Sequence, residues 1–304
     1  MNHARRLFKY QDAFADVPTG LHLLAGLTGF TDAGATLNQL ADHVFANLEH
    51  ELVVQFDNDE LLDYRSRRPI MFFERDHIEH YEPATLGLYL VYDEANQPFL
   101  YLHGYEPDFK WEAFSEAVME LVEELEVEDF TWVHSIPFPI PHTRAVGVTV
   151  SGNRLDIIDS VSEWKPQTQV PGNVLHLLEY RLGQVGLPTV GYVFLVPHYL
   201  SESEYPQAAV AAFEQISAST GLVFPTDALR EEGAEFLKKL SEQIEKNEEL
   251  AKMVASLEKG YANEKTGPIR APISKPVTKM PTAEEIAAEL EGYLATRRRN
   301  AAED

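Results

Sequence analysis

With 304 residues, 44% of them hydrophobic and 24% charged, the chain is long enough to bury a substantial core, as one large α/β domain or two smaller ones. A formal charge of −24 would repel a phosphate backbone, so nucleic acid is set aside as a partner, and no apolar run approaches the roughly 18–20 residues of a bilayer-spanning helix. Cysteine is absent, which removes disulfides, thiolate nucleophiles and Cys-ligated metals; with no apolar segment after the basic N-terminus, the expected location is the cytoplasm, with no membrane partner.

In chain order, the apolar run LHLLAG (21–26) reads as a short buried strand. It leads into TGFTDAG (28–34), a glycine-bearing turn. Leu37, Leu40, Ala41, Val44 and Leu48 then recur at the spacing of a helix with one buried stripe, and Asp32 stands where its carboxylate can accept the N–H groups of the first turn. Strands follow at 51–56 and 70–74, and LGLYLVY (86–92) with PFLYLHG (98–104) reads as a hairpin. Residues 111–126 alternate apolar and acidic at helical spacing. Strands are expected at 130–135, 145–152 and 190–197, with a helix over 173–184 whose stripe is Val174, Leu177, Leu178 and Leu182. A further helix over 206–220 is stopped by Gly221.

Alternating strands and helices with antiparallel pieces predict an α/β fold: a three-layer domain with a mixed sheet over residues 1–225. From Thr226 the pattern is purely helical. A helical extension over 226–262 is expected, broken near Asn247. A linker with four prolines over 263–281 follows, then a terminal helix and tail over 282–304, opened by the capping box Thr282-x-x-Glu285. Residues 265–304 hold seven basic and six acidic residues, so the acidity belongs to the rest of the chain.

The opening turn is neither a P-loop nor a dinucleotide fingerprint. It has no lysine, and Gly26, Gly29 and Gly34 are spaced three and five apart rather than two and three. It reads as a capped turn whose glycines serve backbone geometry, or else as a ligand or partner site. His77-x-x-His80 falls in an expected loop before Pro83, with no third ligand in view, so no metal site is assigned. HSIPFPIPHTR (134–144) is expected to be a stiff extended loop after a strand, carrying His134, His142 and Arg144, and VPHYL (196–200) presents His198 and Tyr199 after another strand. In open α/β sheets ligands sit beyond the carboxyl ends of strands. If the three strands are parallel neighbours, Asp32, His142, Arg144 and His198 gather at one edge. That set suffices for acid–base work or anion binding, and equally for a polar network bracing three loops. No G-x-S-x-G or H-E-x-x-H is present, so no catalytic residue is assigned. The acidic run Glu123 to Asp129 reads as a solvated face that opposes the helix dipole and invites a basic partner.

GFTDAGAT (29–36), PIPHTR (139–144), VPGNVLHLLEYRLGQVGLPTVGYVFLVPHYL (170–200) and YPQAA (205–209) together resemble the proteasome assembly chaperone 2 family, in its actinobacterial branch with a helical C-terminal extension. The resemblance implies a three-layer α/β/α fold similar to purine nucleoside phosphorylases and related hydrolases, homo-oligomers (trimers among them) and protein partners such as proteasome subunits. It implies no cofactor and no established catalytic role. The positions matching the family's motifs are Gly29, Asp32, Gly34, His142, Arg144, Pro171, Gly172, His198 and Tyr199, a candidate pocket or partner-facing edge. Relatives dock on proteasomes through a C-terminal hydrophobic–Tyr–any tail; this sequence ends Asn300-Ala301-Ala302-Glu303-Asp304, so that route is not expected here. Two functions are carried forward: a non-enzymatic interaction or assembly protein, and a small-molecule-binding enzyme using His142, Arg144 and His198.

Overall fold

The computed structural model describes residues 7–162, 165 and 167–264, all within one compact unit spanning Met1–Gly267. The expected terminal helix over 282–304, and the expected linker beyond its first two residues, lie outside the described residues.

After the short strand β1 (Phe8–Tyr10), the chain forms β2 (His22–Thr28), α1 (Thr36–Asn47), β3 (His50–Phe56) and the single turn α2 (Asn58–Leu61). The ribbon β4 (Met71–Glu74) and β5 (His77–Tyr81) follows, then the hairpin β6 (Gly87–Tyr92) and β7 (Pro98–Tyr105). Next come α3 (Trp111–Glu124), β8 (Asp129–Phe138), β9 (Gly147–Gly152), α4 (Leu155–Val161), α5 (Val174–Gln184) and β10 (Thr189–Pro197). The described chain ends with α6 (Pro206–Thr220), α7 (Asp227–Lys246) and α8 (Glu248–Glu264), the last two meeting at Asn247 as the sequence predicts.

Eight strands form one mixed sheet in the order β1-β3-β6-β7-β2-β8-β10-β9. Its centre is parallel: β2 pairs with β7 and β8, and β8 with β10. The remaining neighbours are antiparallel. Because side chains alternate across a strand, adjacent apolar residues bury themselves on opposite faces. Leu23, Leu100 and Trp132 pack with α3 and α5, whereas Leu24, Phe99 and Val133 pack with α1 and α6. The result is the predicted three-layer domain. A third, smaller cluster joins Ala33 of the opening turn, Val196, Tyr205 and Leu240 of α7. It ties the helical extension to the carboxyl ends of the strands.

Three expectations are corrected, and one element was not foreseen. His77 and His80 lie in a strand, not a loop: Glu74 pairs with His77 and Phe72 with His80 across the β4–β5 ribbon. The prolines after His134 do not all lie in a loop, since β8 continues through Pro137 to Phe138 alongside β10. The ladder between β2 and β8 ends at Ala25 and Trp132, leaving only an isolated bridge at Ser135, so Pro137 sits where one side of the strand is open. In α5 it is Leu175, not Leu177, that joins Val174, Leu178 and Leu182 in the core. The short helix α4 was not predicted.

Candidate functional site

Where β2 ends, Gly29 adopts φ 127°, and a Cβ there would lie 2.5 Å from an Arg67 guanidinium nitrogen. Arg67 itself donates Nη1 to the Glu106 carbonyl (2.8 Å), pairs Nη2 with Asp108 (3.0 Å) and lies over the Tyr105 ring. Gly34, at φ 71°, is held from both sides: its N–H donates to the Ser201 carbonyl (2.9 Å) and its own carbonyl accepts the Tyr205 N–H (2.9 Å). A Cβ on Gly34 would be 3.0 Å from the Tyr205 Cβ. Two chain segments therefore meet where only glycine fits.

Asp32 acts as the cap the sequence predicts, but from further back. A 3-10 turn over Ala33–Ala35 intervenes, so its carboxylate accepts the N–H groups of Leu37 (2.8 Å) and Asn38 (3.2 Å) inside α1. Ser135 Oγ donates to the same carboxylate at 3.2 Å. Burial pushes the Asp32 carboxyl above its ordinary range despite these donors.

The second loop is braced differently. The Tyr199 hydroxyl accepts the backbone N–H of His142 (2.8 Å) and is hydrogen-bonded to His142 Nδ1 (2.6 Å). Burial lowers the His142 pKa, which favours the neutral imidazole, and raises that of Tyr199. Arg144 turns to the helical extension, where its Nη2 and Nε donate to Glu258 of α8 (2.8 and 3.3 Å) and its guanidinium lies 5.6 Å from the Tyr261 ring centroid. Thr143 Oγ1 also donates to Glu258. His198 is exposed, with its ring edge-on to Tyr199.

The three strands are the parallel neighbours that the sequence reading required. Gly34 is joined to the loop after β10, and His142 to Tyr199. Asp32 bonds Ser135 rather than His142 or Arg144, and Arg144 is taken up by α8. Pro171 and Gly172 are exposed and lead into α5, on the layer opposite α1 and α6. An open groove of about 640 Å³ lies beside this edge, lined by His142, Arg144, Tyr205, Gln207, Arg230 and Leu237.

Sequence reasoning missed a second polar line, under α5. His134 is 3% exposed, stacks on Phe30 (5.5 Å between centroids) and has no hydrogen-bond partner for Nε2 among the described residues. Burial holds its pKa down to about 4, helped by His176 nearby. Glu179 accepts Trp132 Nε1 (2.7 Å) and Ser151 Oγ (2.6 Å), and Glu106 accepts the Val174 N–H (2.7 Å); burial raises the pKa of both carboxyls. The signal for Glu179 was its position four residues after Leu175 and three before Leu182, on the buried face of α5. Glu258 left no such signal. Among the described residues, no cluster of three or more His, Asp or Glu is placed to hold a metal, and no helix is long and apolar enough to cross a membrane.

A Mycobacterium tuberculosis protein of unknown function, Rv2714, is 39% identical over 86% of this chain and 93% of its own, with a TM-score of 0.79. A Corynebacterium glutamicum protein of unknown function is 36% identical over 85% of this chain and 98% of its own, with a TM-score of 0.81. The Mycobacterium tuberculosis proteasome-assembly chaperone homologue Rv2125, at 19% identity, 77% and 100% coverage and a TM-score of 0.70, shares the fold. No curated protein sequence matches. The PAC2 family model matches residues 26–244, from β2 through both loops and into α7, and the chain belongs to the PAC2 family.

Proposed function

We propose that this PAC2-family chain is a non-enzymatic, self-associating interaction protein that takes part in assembling a larger complex in the cytoplasm. A trimer is the proposed form of its oligomer. Proteasome subunits are the first partners to test, since Rv2125 is described as a proteasome-assembly chaperone homologue. The observation that carries this reading is the fate of the side chains at the strand ends. Asp32 caps a helix, His142 is fixed on Tyr199 and Arg144 is paired with Glu258. Groups that could do acid–base chemistry are instead bracing loops around a partner-facing edge. Gly29 and Gly34 shape its backbone, and His198 and Tyr199 present it, whereas Pro171 and Gly172 lie ahead of α5 on the other layer.

The alternative enzyme or small-molecule binder is favoured by the groove beside His142 and Arg144. It requires Arg144 to hold an anion, and Glu258 already occupies that guanidinium.

Affinity capture of the full chain from its native lysate, with and without residues 265–304, tests the leading reading. Stoichiometric enrichment of proteasome subunits is the expected result, and an empty capture under mild crosslinking counts against it. A rise in melting temperature with an anionic metabolite, abolished by Arg144→Ala, would move the conclusion to the alternative.

A further inference from the structure

The β4–β5 ribbon differs from the rest of the surface. In its register Met71 faces Tyr81 and Phe73 faces Ile78, so these four side chains share one face, and they are 48, 44, 61 and 49% exposed. A two-stranded ribbon on its own is marginal in water, and a contiguous exposed apolar face marks an interaction site. The segment leading into it is basic: Tyr64 to Phe73 contains three arginines and no acid, in a chain with 49 acidic and 25 basic residues. Arg65 and Arg68 are exposed, and their guanidinium groups make no ion pair among the described residues.

A matching surface lies elsewhere on the same molecule. Where α3 and α5 run toward the starts of β8 and β10, a groove of about 890 Å³ opens between them. Its floor includes Met119, Val122, Leu182 and Val185, the last 66% exposed, and Glu116 and Glu123 are exposed along its rim. The ribbon, by contrast, overhangs Phe45 of α1 and His103 near the carboxyl end of β7. The two surfaces belong to opposite layers and opposite ends of the sheet, so one chain cannot bring its own ribbon to its own groove.

We propose that the β4–β5 ribbon of one copy seats in the α3–α5 groove of a second copy of this chain. The apolar ribbon face covers the groove floor, and Arg65 and Arg68 meet the Glu116 and Glu123 carboxylates. The observation that selects a second copy as occupant is this complementarity of charge on a molecule that is otherwise acidic. The contact is head-to-tail, so it closes into a ring where the rotation between copies permits. It deepens the self-association part of the proposed function and does not depend on which foreign partner is captured.

The test is the mass in solution of the full chain, by sedimentation equilibrium over a range of concentrations. Two variants break opposite halves of the contact: Phe73→Glu with Ile78→Glu on the ribbon, and Val185→Glu in the groove. All three side chains are exposed, so both variants should keep the parent's fold, read as an unchanged far-ultraviolet circular dichroism spectrum. The parent is expected to be a closed multimer and each variant a monomer. A mixture of the two variants retains one intact ribbon and one intact groove, and should form a 1:1 dimer and nothing larger. A monomeric parent, an unchanged mass in either variant, or a mixture that fails to pair would overturn the inference. If the ribbon variant loses a captured foreign protein while the parent stays monomeric, the second copy is the wrong occupant, and the assembly reading survives without it.

Discussion

Gly34 and Gly221 both have φ near the left-handed region, 71° and 78°, but their surroundings differ. Gly221 faces open space, whereas a Cβ on Gly34 meets Tyr205 and Val196 at 3.0 and 3.3 Å. Gly221→Ala should therefore lose about 1 kcal/mol, the conformational term alone. Gly34→Ala should lose about 2–4 kcal/mol, because strain and overpacking add. Denaturant midpoints of the two variants read the difference; equal losses would mean that the Gly34 junction yields easily. His134 gives a residue-scale prediction in pH. Its folded pKa, about 4, lies below the ordinary 6.5, so the native state binds fewer protons than the unfolded chain between those values. Stability is full above about pH 6.5 and falls by about 3 kcal/mol as the pH drops toward 4. His134→Leu should remove that part of the acid slope. An unchanged slope in urea titrations at pH 7, 5.5 and 4 would show that His134 takes up its proton in the folded state as readily as in the unfolded chain.

Among the elements, those with a strong period were legible in the sequence: the apolar strands β2, β7 and β10, and the striped helices α1, α3 and α6. The His77–His80 segment was misread because its pairing partner, β4, is exposed like itself, and neither strand carries the alternation that burial imposes. Pro137 obscured the end of β8, because its tolerance depends on where β2 stops pairing, which is a tertiary fact. The edge residues were legible as a set, but not their partners: Glu258 lies 114 residues beyond Arg144. That contact, with Thr143 beside it, fastens α8 to the loop before β9. An ion pair this exposed contributes about 0.5–1 kcal/mol. Glu258→Ala should accordingly leave global stability nearly unchanged while hydrogen exchange over 143–146 and α8 quickens ~2–5-fold. Unaltered exchange in both segments would show that the pair does not hold the helix down.

For the whole molecule, the formal charge of −24 is a standing self-repulsion that salt relieves. The melting temperature should rise by a few degrees as NaCl goes from about 10 to 150 mM, over which the screening length shortens from about 30 to 8 Å. A flat or falling curve would mean that favourable ion pairs outweigh the repulsion. The order of strands has a further consequence, for the chain while it is being made. β2 emerges early but belongs in the middle of the sheet, with Leu23 beside Leu100 on one side and Phe130 on the other. At roughly 5–20 residues per second, synthesis leaves β2 without either neighbour for several seconds. During that interval the run LHLLAGLT is an apolar strand with both edges unpaired, open to wrong partners until Leu100 and Phe130 arrive to close it in.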